Sequence, residues 1–187
     1  MSLQWLLLGE GSLVVLALVW CWLRDISIPY RWDLADWGIS LAAAAGFALG
    51  NLGLYHLGRR TGRPAAVHAF LETEIFPLFR GVPVYPLILL SAVAGVGEEL
   101  LFRGAVQEEL GIGMASVLFG FLHGPTRELW PLALWATAMG LLLGILYQAS
   151  GNLLVPALSH ALYDGAALIY LSRREGLGSM KPASEEG

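Results

Sequence analysis

Two adjacent glutamates, Glu98 and Glu99, stand in an otherwise apolar stretch with Arg103 shortly after them, and His123, His160 and Asp164 interrupt apolar runs farther on. A carboxylate and an imidazole together can take a proton from water and pass it on, which is general acid–base chemistry, and an imidazole can also donate to a developing oxyanion. Glu99 and Arg103 are i and i+4 with the acid N-terminal, the better order for an ion pair along one helix, so these two read as structural. Glu98 sits about 100° round the helix from Glu99 and has no cation of its own, which leaves it available as a base. His160 and Asp164 are again i and i+4 and share a helix face, and Phe119 stands at the same spacing from His123, placing a ring beside that imidazole. One Glu, two His and one Asp are equally an acceptable zinc set. Spacing alone leaves open whether Glu98, His123, His160 and Asp164 hold water without a metal or bind Zn²⁺.

The elements that must position these groups follow from composition. Of 187 residues 56% are hydrophobic and only 14% are Asp, Glu, Lys or Arg, against about 25% charged in soluble domains, and the mean hydropathy is +0.62. A soluble globule is excluded once the apolar residues also fall in long runs. Disorder is excluded by seven Trp, six Tyr and seven Phe. A net charge of -4 carries no nucleic-acid footprint. The single cysteine, Cys21, has no partner for a disulfide and reads as helix surface.

A membrane helix needs roughly 20 mostly apolar residues. Six such runs stand between clusters of charge: residues 3–23, 37–57, 82–110, 111–123, 129–150 and 152–171. The fourth ends at Gly124-Pro125 because proline cannot continue the helix ladder. Between the second and third runs, residues 59–80 mix arginines with Phe70, Ile75, Phe76 and Phe79 and predict an interfacial helix, with an ordinary loop as the other reading. The chain therefore reads as all-α, a polytopic bundle of about six transmembrane helices forming one domain over 1–174, followed by a flexible tail at 175–187. With loops alternating across the membrane, eight Lys and Arg fall on the side of the termini and two, Arg24 and Arg31, on the other. The positive-inside rule then places both termini in the cytoplasm.

Each buried ionisable group costs about 2.5 to 3.5 kcal/mol on insertion scales and usually marks an interior site. Counted from the non-cytoplasmic turns, Glu98, His123, His160 and Asp164 lie 8 to 12 residues deep, about 12 to 18 Å and near the bilayer centre. Singly, each has a plainer explanation: an ion-pair patch at a helix end, or a histidine before Gly-Pro. Three helices reaching one level favour a single constellation. Glu10, near the start of the first run, reads as snorkelling or facing the bundle. His56 and His68 read as solvated. The pairs Gly46/Gly50 and Gly140/Gly144 read as close-packing faces, within the chain before any dimer, so the chain is expected to be a monomer or a weak homodimer.

Glu98-Glu99-Leu100-Leu101-Phe102-Arg103, Phe119-Gly120-Phe121-Leu122-His123 and His160-Ala161-Leu162-Tyr163-Asp164 resemble, in order, the EExxxR, FxxxH and HxxxN/D motifs of the CPBP intramembrane proteases, the ABI or CAAX protease and bacteriocin-processing family. The resemblance covers about residues 82–170. It implies a helical membrane endopeptidase in which Glu98 and His123 activate water and His160 and Asp164 hold the oxyanion, without a cofactor. Asp164 departs from the frequent Asn: an ionised carboxylate repels an oxyanion, so it must be protonated, orient His160 or face a cation. The alternatives are a non-catalytic scaffold or immunity-type protein of the same fold, a metal-dependent protease, and a proton or ion transporter. Nothing in the sequence identifies the peptide or membrane-protein substrate.

Overall fold

In the computed structural model the described residues are 3–61, 73 and 75–173, with 54–61 described by their backbone alone. They are helical without a strand among them. The long helices are α1 (Leu3–Leu23), α2 (Leu34–Thr61), α4 (Val84–Glu99), α5 (Gln107–His123), α6 (Trp130–Ser150) and α7 (Leu154–Arg173), with the short α3 (Phe76–Phe79) before α4. Leu3–Leu23, Val84–His123, Arg127–Ser150 and Leu154–Arg173 are long and apolar enough to cross a membrane. Large apolar side chains such as Leu8, Val19, Leu52, Ile88, Phe121, Leu142 and Leu162 stand exposed on the outsides of the helices, the arrangement hydrocarbon solvates. The chain is an integral membrane protein built as a helical bundle.

Between α4 and α5 the backbone is π-helical from Leu100 to Val106 and then turns at Gly111, whose φ of 79° and ψ of 163° only glycine tolerates readily. The sequence predicted a break at this position. The chain folds back there, since Phe119 returns to pack edge-on against Phe102 with ring centroids 5.0 Å apart; a continuous helix would separate these residues by about 25 Å. The predicted third and fourth spans are thus two arms joined without a polar loop. The π-helical turns were not anticipated, and Arg103 lies within them.

Polar clasps define the ends of the bundle. At one end Arg24 meets Glu109 at 2.5 Å, and the buried Asn152 donates through Nδ2 to the carbonyl of Arg31 and to Asp36. At the other, the amide of Gly81 donates to the carbonyl of Ser172. This is the alternating order of arms that the sequence predicted.

Two readings are corrected. Gly140 and Gly144 do pack within the chain, against Ser116, Phe119, Gln107 and Ile112, but Gly46 and Gly50 face open space; α2 instead uses Asp36, Ser40 and Ala44, which are buried, and Phe47 and Asn51, which meet Tyr163. Cys21 is buried, with its thiol near the carbonyl of Gly104, so it is not helix surface. The interfacial helix expected over 59–80 lies largely outside the described residues, as do His68, the side chain of His56 and the tail at 175–187.

Candidate active site

The last turn of α4 carries Glu98 and Glu99. α4 can press against α7 because Gly95 has no side chain: a Cβ there would stand 2.7 Å from the amide nitrogen of Ala161, one residue after His160. This contact brings the first and third motifs together.

Glu99 is fully buried, and its Oε1 accepts from Nη1 of Arg103 at 3.0 Å and from Nδ1 of His160 at 2.9 Å. Arg103, buried as well, donates from Nη2 to the carbonyl of Gly140 at 2.8 Å and lies over the ring of Phe119, 4.9 Å from its centroid. The ion pair predicted along the helix is present and does more than neutralise itself. It clamps His160 and ties α4 and α6 together.

His123 ends α5. Its Nδ1 lies 2.9 Å from the carbonyl oxygen of Phe119, and a carbonyl only accepts, so Nδ1 carries the proton and Nε2 presents a lone pair. The ring of Phe119 stacks on the imidazole, with centroids 4.4 Å apart, as the spacing predicted. His123 Nε2 is 3.8 Å, and His160 Nε2 3.9 Å, from Oε2 of Glu98. Both gaps are too long for a direct hydrogen bond and short enough for one shared water. Glu98 Oε2 itself is buried without a hydrogen-bond partner. Asp164 Oδ2 approaches His160 Nε2 to 3.4 Å.

His123, His160, Asp164 and Phe119 line one cavity of about 150 Å³ with Trp135, Met139, Leu143 and Tyr163. Glu98 is not itself among the lining residues; it stands 3.8 and 3.9 Å from the Nε2 atoms of the two histidines that are. The aromatic and thioether side chains of this wall were not singled out from the sequence; at helical spacing in apolar runs they are indistinguishable from packing residues. Glu10, read as snorkelling or facing the bundle, faces the bundle: its Oε2 is buried. A lone acid early in an apolar run gives only the choice between snorkelling and facing inward.

Ligands about 2.1 Å from a tetrahedral zinc stand near 3.4 Å apart, whereas Glu98 Oε2 is 3.8 and 3.9 Å from the two imidazole nitrogens; among the described residues no three His, Cys, Asp or Glu are grouped to hold a metal ion.

Comparison with known proteins adds an independent line. A curated relative, the uncharacterized protein YpbD of Bacillus subtilis (strain 168), is 38% identical over 78 residues, 42% of this chain and 41% of the relative. The alignment therefore spans less than half of that protein. No solved structure matches. Residues 80–166, which hold all three motifs, match the type II CAAX prenyl endopeptidase Rce1-like family, the CAAX-protease resemblance that the motifs themselves carry.

Proposed function

We propose that the protein is an intramembrane endopeptidase that hydrolyses a membrane-associated or lipidated peptide with water activated by Glu98 and His123. The observation that carries this reading is the convergence of Glu98, His123 and His160 at distances bridged by one water, beside a cavity that the same histidines line. Water held between Glu98 Oε2 and the lone pair of His123 Nε2 loses its proton to Glu98 as it attacks the scissile carbonyl. Glu98 then returns that proton to the leaving amine. His160 spends its Nδ1 proton on Glu99, so donation to the oxyanion from Nε2 requires a second proton on the ring. Glu98 and Asp164, both close to Nε2, balance that charge. This gives Asp164 a use that an Asn would not have: it supports an imidazolium rather than touching the oxyanion. The matched family's printed description suggests prenylated CAAX tails as the substrate class. The apolar wall of Trp135, Met139 and Leu143 suits an apolar peptide side chain or lipid-modified residue. Both termini lie in the cytoplasm by the excess of Lys and Arg on their side.

Peptides released from membranes holding the wild-type chain are compared with those from Glu98→Ala and His123→Ala membranes. A set of cut sites lost in both variants, with protein levels unchanged, is the expected outcome, and survival of every cut site in either variant overturns the reading. Cleavage is expected to persist after exhaustive treatment with a zinc chelator; loss on chelation and recovery with Zn²⁺ would restore the metal-bound alternative.

A further inference from the structure

α1 brings to the site a carboxyl that none of the three motifs contains. Glu10 lies thirteen residues from Leu23, the end of α1, a depth of about 20 Å and close to that of Glu98. The two helices cross at this level: Gly97, the neighbour of Glu98, faces the main-chain oxygen of Glu10 so closely that a Cβ would stand 2.8 Å from it. Oε2 of Glu10 is buried without a hydrogen-bond partner, and so is Oε2 of Glu98. The carboxyl of Glu10 lies within electrostatic reach of Glu98, His160 and Asp164 and its Oε2 is buried, so the side chain faces the site rather than the lipid. Around Glu98 stand Glu10 from α1, His123 from α5, His160 and Asp164 from α7, and Glu99 from its own helix. Two carboxyl groups in such a place are best satisfied when one carries a proton and donates it to the other.

We propose that Glu10 is a positioning residue for Glu98: protonated, it donates to the Glu98 carboxylate through one water, and holds it where Oε2 faces the two imidazoles. The inference rests on the peptidase reading above.

The test uses full-length chains in membranes, with wild type, Glu10→Gln, Glu10→Leu and Glu98→Gln compared for the peptides whose release depends on Glu98, and with Tm measured on each purified protein. Glutamine keeps an N–H donor, so Glu10→Gln is expected within about threefold of wild type. Leucine keeps the bulk and loses the donor; Glu10→Leu is expected to release these peptides at least about tenfold more slowly, with Tm little changed because the lost hydrogen bond is offset by replacing a buried carboxyl with an apolar side chain. A residue that merely packs α1 on α4 would give the reverse pattern, a lower Tm with activity lost in proportion. Wild-type cleavage by Glu10→Leu, equal losses in the Gln and Leu variants, or a Tm that falls together with activity overturns the inference. If Glu98→Gln leaves all peptides unchanged, the peptidase reading fails and this inference with it; loss in Glu98→Gln with full activity in Glu10→Leu sinks only the role of Glu10.

Discussion

At the scale of single residues, the site depends on one oxygen atom. Oε1 of Glu99 accepts from both Arg103 and His160, so the charge that satisfies the arginine also fixes the imidazole. Removing one partner of a buried ion pair leaves the other uncompensated. Arg103→Leu is accordingly expected to cost about 3 to 5 kcal/mol, read as a shift in the denaturant or thermal unfolding midpoint, with cleavage lost alongside because His160 is no longer held. Substituting the exposed Arg24, whose pair with Glu109 is solvated on the arginine side, is expected to leave the unfolding midpoint nearly unchanged. The Glu99–Arg103 pair and the stacking of Phe119 on His123 were legible in the sequence because each is an i,i+4 relation settled within one helix. The second bond of Glu99, to His160 sixty-one residues away, was not legible, since it exists only once α4 and α7 are in contact. The inward direction of Glu10 was one of the two readings its position offered, but its place beside Gly97 and Glu98 was hidden for the same reason.

At the scale of elements, glycines decide which helices can touch. Gly95 allows α7 against α4; a larger side chain pushes the helices apart exactly where Glu98 and His160 must face each other. Gly95→Leu is expected to destabilise by about 1 to 3 kcal/mol and to reduce cleavage more than 100-fold by about 1 Å of misplacement, measured as unfolding midpoint and peptide release. Gly111→Ala, by contrast, strains the turn without entering the site, and is expected to cost about 1 to 3 kcal/mol with a smaller effect on the rate per folded molecule. The Gly111 break could be read from charge and apolar-run boundaries. The π-helical turns could not, because apolar periodicity does not separate 3.6 residues per turn from the slightly wider winding that lets Arg103 reach the carbonyl of Gly140 on α6. Gly46 and Gly50 show the converse failure. Their spacing matches a packing face, yet α2 turns its Asp36, Ser40 and Ala44 side inward, and a spacing rule cannot tell which of two faces is used.

For the whole molecule, the polar clasps group the ends of the arms, and the positive-inside rule applied to Lys and Arg predicts cytoplasmic termini. Tags at the N- and C-termini are both expected to be digested when protease is added to the cytoplasmic face of sealed vesicles and both protected from the other face; opposite results for the two ends would break the six-arm topology. The fold class was readable from run lengths, since the bilayer permits few alternatives to closed helical ladders, although α2, read as a span over 37–57, is not among the helices long and apolar enough to cross. The arm from 111 to 123 holds thirteen residues, about 20 Å, whereas the hydrocarbon layer is about 30 Å thick. The exposed polar stretch from Pro125 to Glu128 that follows the arm is thereby held below the usual membrane surface, and locally thinner lipid would relieve the mismatch: proteoliposomes made from shorter-chain lipids are expected to support the proposed cleavage faster than those made from long-chain ones.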